Sequence, residues 1–387
     1  MDENSKSPLL NRAGAVADGG DDAAVAAHYG DPTREQRALA RGAAVVDLSQ
    51  RSVVTVSGPD RLTWLTTLSS QEIAGLKPGE PTELLLLDIS GRIEHDAAVV
   101  DDGETVWLIT ENSHGGVLAQ WLDSMKFMLR VEIADRTADY AVLGSTAPLP
   151  ASASGEVVIG WADPWPKLGP GAASYAQVAE ADHPGADWSW RLHVVPRTSL
   201  EATIDGLEQA GWILAGTMAA EALRVAAWRP RLAREVDEKT IPHELDLIRT
   251  AVHLSKGCYK GQETVARVHN LGHPPRRLVF LHLDGSEHTL PAIGSDILAA
   301  APEASPAELA GERPVGKVTS VARHHEMGPI ALALVKRKVD PALQLVVRDG
   351  DADSATFYAA AQEVIVRPDA GQAVGRPKGD FLRGQRR

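Results

Sequence analysis

Cysteine is almost absent from this 387-residue sequence, with Cys258 alone. One thiol excludes an internal disulfide framework and a cysteine-only metal cage, and cysteines of this chain cannot by themselves hold an iron–sulfur cluster. Aromatic residues are also scarce, at 5%, although nine of them are Trp. No apolar run approaches the roughly 20 residues needed to span a bilayer. The polar, acidic start Met1-Asp2-Glu3-Asn4 lacks the basic and then apolar character of a secretory signal, so the expected location is cytoplasmic, with no membrane partner. Positive charge is in deficit: the net charge of −13 argues against a general nucleic-acid binder, which needs a basic groove. No phosphate loop or dinucleotide fingerprint occurs, and His243-Glu244-Leu245 lacks the second histidine of a zincin.

What is present is a globular composition, 44% apolar, on a chain long enough for two or three domains. Residues 1–30, rich in Ala, Gly and Asp, read as a disordered arm. From about residue 41, short strands such as Val53–Val56, Glu83–Ile89, Ala97–Val100 and Thr105–Thr110 mix with helical spacing at Val117, Leu118, Trp121, Leu122 and Met125. The lack of a regular β-α-β rhythm predicts an α+β fold. Residues 198–211 and 215–228 read as helices. Residues 144–190 are rich in Pro, Gly and Ala and carry Trp161, Trp165, Trp188 and Trp190, which either line a ligand surface or anchor a long loop. After about residue 276 the texture becomes short strands between Gly/Pro turns: Arg277–Leu283, Val315–Ala322, Ile330–Val335, Leu343–Val347 and Ala361–Val366 predict a small β-barrel. The basic end from Gly371 reads as a flexible tail.

The most informative stretch is Lys256-Gly257-Cys258-Tyr259-Lys260-Gly261-Gln262-Glu263. A thiol between two lysines, with His253, Arg267 and His269 nearby in sequence, is expected to be an acidic, accessible nucleophile, because positive neighbours stabilise thiolate. Gly257 and Gly261 permit positive φ or close backbone approach, and Gln262 and Glu263 add groups that orient a ligand or move protons. The alternative is a lone cysteine that simply packs as a small hydrophobe. His324-His325-Glu326 and His269…His273 do not have the spacing of a metal site, because Gly272 and Pro274 interrupt any helical pair. No metal is expected.

This segment closely resembles the signature of YgfZ-type proteins, a branch of the glycine-cleavage T-protein superfamily, at seven fixed identities in eight positions. Other stretches resemble the superfamily in the expected order. They are Val56-Ser57-Gly58-Pro59-Asp60, Leu86-Leu87-Asp88 with Gly91-Arg92-Ile93, Glu221-Ala222-Leu223-Arg224, Asp237 to Leu245, and Val315 to Ser320 with Ile330 to Ala333. The resemblance covers roughly residues 40–366. It implies a three-domain fold around a central folate opening, with a carboxy-terminal β-barrel. The implied division is 31–56 with 139–262 as a discontinuous first domain, 57–138 as the second, 263–368 as the barrel and 369–387 as the tail.

The resemblance further implies tetrahydrofolate as cofactor and a role in iron–sulfur cluster assembly or repair, with client enzymes or cluster-assembly proteins as partners. Cys258 is then the reactive group, and Asp96 and Arg224 are implied folate contacts. Departures from the transferase pattern weaken aminomethyl transfer: Ala186-Asp187-Trp188-Ser189-Trp190 and Ala219-Ala220 stand where transferases carry fixed charges. One-carbon transfer and a non-catalytic folate-binding scaffold remain the alternatives.

Overall fold

The computed structural model describes residues 6–371, apart from 154, 300–303, 305 and 352–354. Two five-stranded sheets and a closed six-stranded barrel form its frame. The first sheet runs Ile159–Ala162, Arg191–Pro196, Tyr140–Ser145, Ala44–Asp47, Ile213–Ala215. Its last pair is parallel and the others are antiparallel. The second runs Pro81–Leu87, Ile93–Asp101, Thr105–Thr110, Ser52–Ser57, Glu132–Asp135, antiparallel throughout. Strands of Val, Leu and Ile favour this pleated, half-buried setting, and all of Val53, Val54, Val56, Val106 and Leu108 are buried. Helices Arg61–Leu68 and Gly115–Met125 cover the second sheet, burying Trp64, Leu65, Leu118 and Leu122 in its core. Thr217–Ala226 joins the first sheet's core through Ala219 and Ala220.

The barrel closes in the order Arg276–Leu283, Gly328–Lys336, Gly316–His324, Asp296–Leu298, Leu345–Asp349, Thr356–Val364. Five of these strands are those expected. The sixth, Asp296–Leu298, has only three residues, too short for a periodic signal. Phe280, Ile330 and Leu332 of the barrel share a core with Leu85 and Leu87 of the second sheet and with Trp228 and Leu245.

Two expectations need correction. Residues 6–28 are not a disordered arm. They form a 3₁₀ turn, Pro8–Asn11, and a two-stranded ribbon of Val16–Ala17 with Ala26–His28. Leu9 is fully buried against Val45 and Leu207, and the Ser7 hydroxyl donates to Asp47. A polar composition hid this because its buried members have distant partners. Second, Ser52–Ser57 pairs with Thr105–Thr110 and Glu132–Asp135, so it belongs to the second sheet and the chain leaves the first sheet before residue 52. In the long polar segment the anchoring reading fits three of the four tryptophans: Trp161, Trp165 and Trp190 are buried, with indole N–H groups of the first two donating to the carbonyls of Thr82 and Ala227. The expected flexible tail falls, from residue 372, outside the described residues.

Candidate functional site

The cysteine segment is held by its lysine. Lys256 is buried, and its ammonium donates to the carbonyls of Thr66, Ser69 (2.5 Å) and Gln71 (3.1 Å), with the Tyr259 ring centroid 4.9 Å away. Burial lowers this lysine's pKa to about 8. Charge-assisted hydrogen bonds are stronger than neutral ones, so the three together offset the desolvation of the ammonium and peg the segment. Lys260 instead meets Glu94 at 3.0 Å and lies 5.9 Å from the Trp121 ring centroid. Both ammonium groups are thus committed to oxygen partners, which corrects the expectation that they serve chiefly as counter-charges to the thiol.

Two glycines set the path of the chain beyond the thiol. Gly261 adopts φ +86 at the start of helix Gln262–Leu271, and a Cβ there would come within 2.6 Å of the Asp88 carbonyl oxygen. Gly91, at φ +77 in the facing turn, would bring its Cβ to 3.0 Å from that of Thr264. Only glycines let helix and turn approach so closely. Between peg and helix, Gly257 faces open space and Cys258 is exposed. Gln262 reaches back toward the carbonyls of Lys256 and Gly257 at 3.4 and 3.5 Å, and Glu263 is exposed. Tyr259, Gln262 and Glu263 border an open groove of about 640 Å³ that extends to His269.

A second constellation lies where the two sheets and the barrel's neighbours converge. Asp96 and Arg224 line one narrow cavity of about 70 Å³, together with Glu83, Glu111, Trp188 and Trp190. No residue of the signature lines it. The structure therefore brings Asp96 and Arg224 together and holds Cys258 apart from both.

Asp96 is half-buried, and its carboxyl has no hydrogen-bond partner among the described residues. Burial, then the nearby Glu111 and Glu83, raises its pKa to about 7. Arg224 differs: all five of its N–H donors are taken, by both oxygens of Glu221, by Glu235, by the Arg229 carbonyl and by the Ser320 hydroxyl. It ties helix Thr217–Ala226 to the barrel and has no donor left for a ligand, which corrects its implied role as a direct folate contact.

The sequence reading missed the rest of the cavity. Arg229 pairs with Glu83 (2.5 Å) and Asp163 (2.9 Å), and Arg231 with Asp22, Glu111 and Glu221. Burial alone would raise the Glu111 pKa, but Arg231 and Arg51 outweigh it and hold it down at about 2. The signal was Arg229-Pro230-Arg231 directly after a helix. Trp228 adopts φ +57, a rare conformation for a bulky residue, and swings those arginines inward. Trp188 and Trp190 stack at 5.2 Å with a 13° interplanar angle, so aromatic surface stands where transferases were expected to carry charge. Glu83 Oε1, Thr110 Oγ1 and Arg51 Nε are buried without partners among the described residues.

Comparison with known proteins fits this geometry. Residues 12–150 match the family model described as the GCVT N-terminal domain. The fold matches the glycine-cleavage aminomethyltransferase T of Bartonella henselae with a TM-score of 0.68 at 17% identity, covering 94% of this chain and 96% of that one. The chain therefore has the fold of the glycine-cleavage T-protein. An aminomethyltransferase of Streptomyces coelicolor is 27% identical, covering 81% of this chain and 82% of its own length. A mitochondrial iron–sulfur cluster assembly factor IBA57 homolog of Cryptococcus neoformans is 26% identical, covering 67% and 72%. The two kinds of relative are equally distant. Among the described residues, no helix is long and apolar enough to cross a membrane, and no group of three or more His, Cys, Asp or Glu could hold a metal ion.

The cavity's chemistry suits a flat heterocycle with a polar edge. It offers a carboxyl without a partner, buried polar atoms without partners and a flat indole stack. The free space of about 70 Å³ is small, so a bicyclic ring enters only as side chains of the wall shift.

Proposed function

We propose that this protein binds a reduced folate and acts as an accessory protein in iron–sulfur cluster assembly or repair, with Cys258 as its reactive group. Client enzymes or cluster-assembly proteins are its partners in this reading, and the cytoplasm is its place of work. One observation carries the proposal. The exposed thiol stands on a short loop anchored by a buried ammonium on three carbonyls and followed by Gly261, which packs on Gly91 where a side chain on either glycine is strained. A thiol that merely packs needs no such mounting. Asp96, Glu83 and Thr110 would hold the pterin's polar edge against the Trp188–Trp190 stack. Folate supplies, when bound, nitrogen atoms that carry a one-carbon unit.

Complementation of a strain lacking this protein tests the reading. Wild type should restore iron–sulfur enzyme activity, and Cys258→Ala should fold and accumulate normally yet fail to do so. Full rescue by Cys258→Ala would sink the role of the thiol.

Aminomethyl transfer stands as a second reading because Asp96 has a pKa near 7, suited to moving a proton at neutral pH. Against it, Arg224 is spent on structure and the cavity's other arginines are paired with acids. Release of methylene-folate and ammonia in a reconstituted glycine-cleavage assay would favour it. We expect negligible turnover alongside saturable folate binding.

A further inference from the structure

The open groove beside the cysteine loop runs toward the place where residue 371 is held. One wall is helix Gln262–Leu271, and its lining reaches from Tyr259 and Glu263 at the thiol end to His269 and Asn270 at the other. Just past that helix, His273 Nδ1 donates to the Ala370 carbonyl at 2.8 Å. Ala370 is buried, and Gly371 turns at φ +100 so close to the helix end that a Cβ would clash with the Gly272 carbonyl oxygen. The stretch before it is equally fixed. The Arg367 N–H donates to the Tyr175 carbonyl, and the Tyr175 hydroxyl meets His269 Nδ1 at 3.0 Å. Residues from Gln372 onward therefore start at the His269–Asn270 end of the groove.

The groove has polar groups to spare. Tyr259 is only 8% exposed, yet its hydroxyl has no hydrogen-bond partner among the described residues. The side chains of Glu263 and Asn270 also have none, although Arg267 lies one helical turn beyond Glu263. Among the described residues, Glu263 is the one acid of the lining, and no lysine or arginine is part of it. Leu254, Val265 and Ala266 make its middle apolar.

Residues 372–387 are the chemical complement, with five basic residues against one acid. They open as Gln372-Ala373-Val374-Gly375-Arg376-Pro377-Lys378, small and apolar first and then cationic. Pro377 biases Arg376 toward extended backbone. Five extended residues, from Gly371 to Arg376, reach about 16 Å, and the helix rises about 12 Å from Leu271 back to Glu263. We propose that residues 372–379 return along helix Gln262–Leu271 and dock in this groove, with Val374 on its apolar middle and Arg376 on Glu263. The segment then lies along one side of the Cys258 loop, and a partner that reaches the thiol from that side displaces it. This inference goes beyond the accessory-protein reading and does not depend on it.

The test adds one thiol to the full chain. Gly379→Cys keeps every charge of the segment and brings a cysteine beside Cys258 when the segment is docked. Under diamide the two thiols should close into an intramolecular disulfide, followed by non-reducing electrophoresis and mass spectrometry, and closure should slow as salt rises. Adding Arg376→Glu should slow closure about fivefold, and so should adding Glu263→Arg, the size expected for an exposed ion pair. Glu263 is exposed, so its reversal leaves the fold intact. Combining the two reversals should restore the rate. A rate indifferent to either reversal, or a combined variant as slow as the single ones, overturns the proposal. A disulfide-linked dimer also overturns it, and gives the groove to the same segment of a second copy.

Discussion

The central cavity and the cysteine loop handle charge in opposite ways. In the cavity, Arg224, Arg229 and Arg231 neutralise a set of buried carboxylates, and each guanidinium bridges more than one segment of chain. At the loop, one lysine is buried on backbone carbonyls alone and its neighbour is half-exposed on a single glutamate. The first arrangement locks domains together. The second stiffens a few residues and leaves their thiol in solvent. Neighbours in sequence therefore say little about which side chain a charge serves. Lys256 and Lys260 flank Cys258, yet one reaches the turn at 66–71 and the other Glu94.

The sharpest way to break the cavity is Arg231→Ala. It leaves Asp22, Glu111 and Glu221 without their shared cation in a buried setting, and we expect a loss of about 3–5 kcal/mol or failure to fold. Urea denaturation measures it, and a loss under 1 kcal/mol would show that the network contributes little. At the loop, Gly261→Ala should cost about 1–3 kcal/mol through its positive φ and its clash with the Asp88 carbonyl. Lys256→Ala should be of similar size, whereas Lys260→Ala should stay within about 0.5 kcal/mol because its pair is exposed. Equal effects from the two lysines would erase the contrast.

A further effect is a matter of pH. Asp96 has a folded pKa near 7, above the unfolded value near 4, so between these values the folded state holds the extra proton. Its contribution to stability is fully present below about pH 4 and is lost as pH rises through 7. Thermal melts of wild type and Asp96→Asn should therefore diverge with rising pH, with wild type losing on the order of 1–2 kcal/mol relative to the variant because solvent reaches the half-buried group. A constant difference across pH 4–8 would contradict the raised pKa.

Much of the fold was legible in the residues. The change to short strands after residue 276 reported the barrel, because period-two patterning and Gly/Pro turns are local properties. The glycines of the signature reported a backbone constraint that is now visible against the Asp88–Gly91 turn. The amino-terminal residues were misread because Leu9 and Asp22 acquire their burial from Val45 and Arg231, far along the chain. The membership of strand Ser52–Ser57 was misread for a similar reason: its alternation fits either sheet, and only hydrogen-bonded neighbours choose between them.

Sequence alone determined the kinds of secondary structure, the barrel and a single thiol set between glycines. Each of these follows from composition and spacing within a few residues. Tertiary structure decided that Arg224 is a brace with no donor to spare, that Asp96 stands unpartnered in a cavity with a pKa near 7, and that Glu263 borders an open groove with no ion pair among the described residues. The physical reason is common to all three. The state of a charged side chain depends on which opposite charges and how much water surround it, and folding brings those neighbours from positions tens to hundreds of residues away.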